Sequence, residues 1–433
     1  MKCNSMIVLL ILLAVAIQLP AQEEKREFGI QFSGFVKSDF FYDSRQTVSI
    51  REGHFLLYPA EALPDADNRD IHAAPSLNFL SIQTRLTGTI TTPDAFGARV
   101  KGVIEADFFG NENAAFVDAN GFRLRHAYAQ LSWRKTELLL GQYWHPLFIP
   151  GCFSDVVSFN TGSPIQPFSR NPQIRVIHHA GKLHLFAALS AQRDFTSAGG
   201  SGALRNSALP EMQAQVQYES KDAASGKEFL AGIGGGVKWL KPLLYTEVGA
   251  KKYAADQTVS SYSCTAFARM KSPAATFKLQ AIYGSNLFDL LMLGGYGVSE
   301  VTDLQRNAVA YTATRTLAVW SEAIRTGRKI QLGLWAGYTR NLGSLAPILY
   351  YSDRVDGTLA TVRGANIKSI LRFSPRLVLV AGKFNFALET EYTAAAYAAK
   401  DEAGKLSRDA YGVIDRTAQA TNVRVLFATI LKF

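Results

Sequence analysis

The chain alternates apolar residues with small or polar ones at a period of two, and the links between the alternating runs swing regularly between short and long. In the first run Phe28, Ile30, Phe32, Gly34 and Val36 fall on one side, and Gly29, Gln31, Ser33, Phe35 and Lys37 on the other. The pattern returns in Leu80, Ile82, Thr84, Leu86, Gly88 and Ile90. It is cleanest in Ala98, Val100, Gly102, Ile104, Ala106 and Phe108 against Arg99, Lys101, Val103, Glu105 and Asp107. A soluble sandwich alternates too, so the links decide between environments. Residues 42–75, 110–122, 145–172, 193–210, 245–258, 285–307, 341–363 and 395–421 read as long links. Residues 92–95, 134–135, the neighbours of Gly181, 221–226, 272–274, 326–328 and Ser374-Pro375-Arg376 read as short ones. Eight long and seven short links join about sixteen strands.

That parity has a physical cause in a barrel crossing a membrane, because odd-numbered links lie on one side and even-numbered links on the other. Outer-membrane barrels keep short turns in the periplasm and long loops outside. Closure is forced as well, since a strand edge facing hydrocarbon would leave its amides and carbonyls unpaired. The expected fold is all-β: one transmembrane antiparallel β-barrel of about sixteen strands over residues 22–433, with no second domain. A mean hydropathy of +0.02 is too polar for a helical bundle, which needs repeated apolar runs of roughly 20 residues. With 48% apolar residues the chain is also too hydrophobic for disorder.

The N-terminus reads as an export signal over residues 1–21, with Lys2 as the positive start, Met6 to Ile17 as the apolar core and Leu19-Pro20-Ala21 as the cleavage site. Cys3 precedes the apolar core and so is not a lipid-attachment cysteine. Removal of the signal lowers the formal charge from +10 to +9 and leaves Cys152 and Cys264, too few for a disulfide scaffold. Whether those two pair is open.

A barrel of this size encloses a water-filled lumen unless something plugs it. The link at 145–172 is the candidate constriction loop, because Pro146, Phe148, Pro150, Phe153, Phe159, Pro164, Pro167 and Phe168 suit a segment packed on itself or on the wall. The neighbouring strands carry Arg85, Arg99, Lys101, Arg123, Arg125 and Arg175. A charge in hydrocarbon costs about 2–4 kcal/mol at mid-depth, so these side chains are expected to face water. There they would favour small anionic solutes. The competing reading pairs each arginine with Glu105, Asp107 or Asp155 and gives a field of mixed sign. Basic residues near the outer rim would alternatively hold lipopolysaccharide phosphates. Lys383 and Asn385 share a face with Glu389 and Glu391, which suggests a field that changes along the axis.

Catalysis, metals and cofactors find little support. There is no G-x-S-x-G and no H-E-x-x-H. Gly232-Ile233-Gly234-Gly235-Gly236 imitates a phosphate loop but lies in a β-rich stretch, where strand glycines are the better reading. His178 and His179 are adjacent and would point to opposite faces of a strand. Asp65-Ala66-Asp67-Asn68-Arg69-Asp70 begins like a calcium loop but places Arg69 at a ligand position. Trp133, Trp144, Trp239, Trp320 and Trp335 read as membrane-boundary anchors.

The last residues, Asn422 to Phe433, place Val423, Val425, Phe427, Leu431 and Phe433 on one face with Thr429. This resembles the terminal strand of bacterial outer-membrane barrels, which the barrel-assembly machinery reads through its final Phe. Four further segments resemble the DcaP-like porin family: Ser33-Gly34-Phe35-Val36-Lys37-Ser38-Asp39, Phe122 to Tyr128 (FRLRHAY), Leu140-Gly141-Gln142-Tyr143-Trp144 and Leu293-Gly294-Gly295-Tyr296-Gly297. The resemblance implies a sixteen-stranded homotrimeric porin passing small, often negatively charged organic solutes, with no catalytic residue. The expectation is a passive diffusion porin of a Gram-negative outer membrane, needing no cofactor and no nucleic acid. A substrate-specific channel, an outer-membrane enzyme and a non-conducting adhesin are the alternatives.

Overall fold

The computed structural model describes residues 27–110, 121–198, 200–351, 362–402 and 404–433. The expected export signal, residues 1–21, lies outside them. Among the described residues sixteen antiparallel strands form the wall in chain order: β1 (Gly29–Asp43), β2 (Ser76–Leu80, resuming as Arg85–Thr91), β3 (Arg99–Asp107), β4 (Arg123–Ser132), β5 (Thr136–Trp144), β6 (Arg170–Ala180), β7 (Leu183–Ser190), β8 (Glu211–Asp222), β9 (Lys227–Leu240), β10 (Val259–Lys271), β11 (Ala275–Ser285), β12 (Ala308–Arg325), β13 (Ile330–Ser344), β14 (Ile367–Ala381), β15 (Phe384–Ala398) and β16 (Thr417–Lys432). Each pairs with the next, and β16 returns to β1 in a register running from Phe35↔Lys432 to Asp43↔Arg424. Phe433 N–H donates to the Gly34 carbonyl at 3.1 Å, and Gly34 N–H returns the bond to Phe433 at 3.2 Å. The sheet therefore closes with no free edge.

Burial is inverted relative to a water-soluble protein. Ile30, Phe32, Ile104, Ile233, Leu334, Leu388 and Phe427 are exposed on the outside, whereas Lys37, Asp39, Asp107, Arg372, Glu389 and Arg424 are buried within. Buried charges and bare apolar side chains together are the arrangement that lipid outside and polar partners inside would stabilise. No helix among the described residues is long and apolar enough to cross a membrane. The exposed faces of β16 carry Val423, Val425, Phe427 and Leu431.

The short and long links fall where their parity placed them, with one exception. Ser374-Pro375-Arg376 lies inside β14, and the turn is Gly382-Lys383, with Gly382 at φ +66°. Pro375 sits opposite Leu334 of β13, and the pairing with β15 passes from Phe373↔Tyr392 to Arg376↔Glu389 around it. Proline lacks the N–H that a ladder uses, and β14 tolerates that loss without turning.

The period-two phase also breaks in β4. The alternation from Arg123 to Trp133 places Arg123 and Arg125 on the face of Leu131, but β4 carries a bulge where Glu105↔His126 is followed by Ala106↔Leu124. The extra residue inverts the phase. Arg123 and Arg125 consequently share the lumen side with His126, Tyr128 and Gln130, and Leu131 faces outward opposite Val100. The tryptophans also divide differently from expectation. Trp320 and Trp335 are buried inside the barrel with ring centroids 6.3 Å apart, and Trp144 stacks on Phe148 at 3.8 Å. These three pack against inward-folded loops and so do not mark the membrane boundary.

Candidate functional site in the barrel lumen

The β5–β6 link, residues 145–169, folds into the lumen, and the wall holds it by hydrogen bonds to its backbone. Glu389 accepts from Val157 N–H at 2.6 Å and from Ser158 N–H at 3.1 Å, and Glu391 accepts from the Asn160 amide at 2.8 Å. On the neighbouring wall Glu322 accepts from Asp155 N–H at 3.0 Å. Bonds of a carboxylate to backbone N–H are the strong, charge-assisted kind. From the other side Arg372 donates to the Ser163 carbonyl at 2.7 Å, and also to Leu57 O at 2.8 Å and Thr393 Oγ1 at 2.9 Å. Gln215 reaches Pro146 O at 2.5 Å, and Gln280 reaches Leu147 O at 2.9 Å. The pair Glu389 and Glu391, which the alternation put on the lumen face, thus binds a loop and is not a bare charge in the channel.

The glycine run of β9 serves that grip. A Cβ on Gly234 would stand 2.2 Å from Gln215 Cγ, and one on Gly236 would stand 2.5 Å from Gln213 Cγ. Their absence lets both glutamines lie against the wall and reach residues 145–146. Gly234→Val is expected to lower the gel-shift melting temperature of the folded barrel, at a cost of about 1–3 kcal/mol for overpacking. An unchanged transition would show that Gln215 has room to move.

Two further loops fill the outer half of the lumen. Phe55–Pro59 of the β1–β2 link is buried throughout, and Leu291, Met292 and Leu293 of the β11–β12 link are buried beside it. Phe55, Phe159 and Phe168 meet edge to face at 5.1–5.9 Å, while Phe109 stacks on Phe159 at 4.2 Å. Period and composition had singled out only residues 145–172. The β1–β2 and β11–β12 segments give no comparable warning, since their apolar residues are short runs inside long links.

Beneath the loop a cavity of about 500 Å³ opens toward the short-turn end, lined among others by Lys37, Arg85, Arg125, Lys432, Glu105 and Asp155. The structure brings together only some of the basic residues singled out from sequence. Arg125 binds Glu105 and Asp107, both at 2.8 Å, and Arg123 binds Asp107 at 2.8 Å. Arg85 stands 3.7 Å from Glu105 and 5.1 Å over the Phe35 ring. Arg175 lines a separate 270 Å³ cavity on the other side of the loop, sandwiched between Tyr143 and Phe186 and donating to Trp144 O at 2.6 Å. Arg99 and Lys101 share the lumen side with Glu105 nearer the short turns, and both are exposed. No ion pair is found for either among the described residues. Asp155 pairs with Lys278 at 2.8 Å, not with one of the arginines. Sequence reasoning named Lys37 without a role; it bridges Asp39 at 3.0 Å and Val157 O at 2.7 Å.

Above this level Asp194 of the β7–β8 loop gathers Arg170 at 2.7 Å, Arg51 at 3.5 Å and Arg123 at 3.6 Å. Burial pushes its carboxyl up, but the Arg170 and Arg51 charges outweigh this and hold it below the usual range.

The remaining motifs have local partners. Asp65 accepts from Asp67 N–H and Arg69 N–H, and Arg69 pairs with both carboxylates. His178 meets Thr136, and His179 meets Glu137. Among the described residues no set of three His, Cys, Asp or Glu side chains is placed to hold one metal ion. Cys152 is buried within the inward-folded β5–β6 link, where burial pushes its thiol up to about 11, while Cys264 is exposed on the outer wall. The two thiols are free and lie on opposite sides of the sheet.

No family model and no curated protein matches the chain. Solved structures do. The outer membrane channel DcaP of Acinetobacter baumannii is 17% identical, with 96% of this chain and 100% of that one covered and a TM-score of 0.63. The fold is that of the outer-membrane porins. An anion-selective porin from Comamonas acidovorans is 12% identical over 94% of this chain and 100% of its own, at TM-score 0.52. OmpT of Vibrio cholerae is 8% identical over 95% and 99%, at 0.51. The DcaP channel is thus similar to this chain in architecture, in agreement with the motif resemblance. At these identities the porin likeness concerns the barrel and its topology.

Proposed function

We propose that this chain is an outer-membrane diffusion channel for small hydrophilic solutes, with a preference for anionic organic ones. The observation that carries the reading is the charge of the 500 Å³ cavity under the β5–β6 loop, where Lys37, Arg85 and Arg125 are matched by Asp39, Glu105 and Asp107, Asp155 is matched by Lys278, and Lys432 has no carboxylate partner among the described residues. Arg99 and Lys101 extend the excess toward the short turns. Such a lining lowers the entry barrier for anions and raises it for cations. Arg123 and Arg175 act less directly, the first by positioning Asp107 and the second by bracing the loop's far side. The anion-selective Comamonas porin of the same fold supports the preference. The reading includes export on the signal at residues 1–21, insertion by the barrel-assembly machinery through the Phe433 strand, a homotrimer, and lipopolysaccharide around the long loops. Passive flux requires no catalytic group. Purified protein in a planar bilayer under a salt gradient is expected to give discrete channels with an anion-directed reversal potential. A cation-directed potential would overturn the preference, and absence of channels would favour a structural barrel.

A second reading, a substrate-specific channel, is favoured by one observation. Three loops fold inward and pack on one aromatic cluster, whereas a general pore needs only a single constriction. Solute competition separates the two, because a dedicated site saturates and a general pore does not.

A further inference from the structure

The outer wall is unevenly filled. Around the seam of β15, β16, β1 and β2 it carries an aromatic ladder, with Phe386, Phe427, Phe40 and Phe79 in successive contact at 5.0–6.1 Å between ring centroids. From β9 to β13 the wall instead sinks into a groove of about 900 Å³ at the short-turn end. The register pairs Phe229 with Met270, Met270 with Phe277, Phe277 with Ala323 and Ala323 with Leu334, so these five residues lie side by side on one face. All are exposed. The groove forms because Ala323 stands where its neighbours carry long side chains.

From this groove and its rim we infer a glycerophospholipid site, with an acyl chain lying in the groove and the phosphate held at Lys227 and Arg325. Both cations belong to the groove's short-turn rim, and both are exposed. Neither has an ion-pair partner among the described residues. The nearest rim carboxylates are engaged: Asp222 binds the Ser225 hydroxyl at 2.6 Å, and Glu228 binds Lys271 at 2.7 Å. A long cation on an apolar wall lays its stem on the grease and its head toward the interface, where an anionic headgroup complements it. Short turns mark the periplasmic side of such barrels, so the lipid there is a phospholipid of the inner leaflet and not lipopolysaccharide. A second, 590 Å³ recess lined by Val216, Ile233, Ala266 and Leu317 lies farther up the same wall and provides space for chain length. The inference rests on the membrane placement and turn orientation of the barrel; it does not require conduction.

Native mass spectrometry of the full barrel, incubated in detergent with phosphatidylglycerol, tests it. Wild type is expected to retain one lipid per chain. Ala323→Trp should fill the groove and reduce retention about tenfold. Lys227→Gln with Arg325→Gln should reduce it by about fivefold per cation, following the surface attraction of a basic residue. Gel mobility before and after heating shows that each variant is folded, and bilayer conductance is recorded separately, so failure of the channel reading leaves this result intact. Equal retention by all three proteins overturns the site. So does preferential retention of lipid A, or loss of self-association in Ala323→Trp with lipid retention unchanged, which would give the groove to a second copy of the chain.

Discussion

Arg372→Ala is expected to raise single-channel conductance severalfold and to open residues 44–75 to protease, while the folded barrel keeps its resistance to detergent at room temperature. Arg372 is buried and ties two loops to the wall, donating to Ser163 O of one and to Leu57 O of the other. Its removal leaves those carbonyls without their donor. It also strips a compensating charge from the region of Glu391 and Glu389. Breaking a buried charged arrangement in this way costs about 3–5 kcal/mol, enough to shift the docked loops toward an undocked population by about two to four orders of magnitude. The strand ladder of β14 is untouched, since backbone groups supply it. Unchanged conductance and unchanged protease resistance together would show that the aromatic cluster alone holds the loops.

Reversing Arg99 and Lys101 to glutamate is expected to move the reversal potential under a salt gradient toward cations. The double variant changes the lumen charge by four units at a level where neither side chain is tied to a carboxylate. A shift of about 1.4 kcal/mol in the relative barrier for anions and cations is already tenfold in permeability ratio, and charges this close to an aqueous pore are only partly screened. Arg125→Glu is a poorer probe, because a third carboxylate beside Glu105 and Asp107 would disturb the fold before it reported on flux. A potential unmoved in the double variant would place the selectivity elsewhere, with Lys37, Arg85 and Lys432 next to be reversed.

The barrel was legible because two independent regularities agreed. Period two fixes which side chains share a face, and the alternating link lengths fix the number of crossings. Where the reading slipped, a local event had broken one regularity. Pro375 mimicked a turn although its missing N–H is tolerated within the wall, and the bulge at Arg125 and His126 inverted the phase of β4. The lumen was harder to read. Glu389 and Glu391 were placed on the correct face, but whether an inward carboxylate meets a solute or a loop amide depends on contacts more than 200 positions apart. The inward fold of residues 145–169 was signalled by Pro and Phe density. That of Phe55–Pro59 was carried by Arg372, which donates to its Leu56 and Leu57 carbonyls, and by Arg424, which donates to those of Gly53 and His54 just before it, both from the far end of the chain.

The junction of β1 with β16 sets an order on biogenesis. Asp43 meets Asn422 and Arg424 across 379 and 381 positions, so the first strand has no lateral partner on that flank until β16 has been made. Throughout transit the greasy outward faces and the open hydrogen-bonding flank travel together, in the state most prone to clumping. A polypeptide built this way offers an open template for pairing with other copies until β1 and β16 meet.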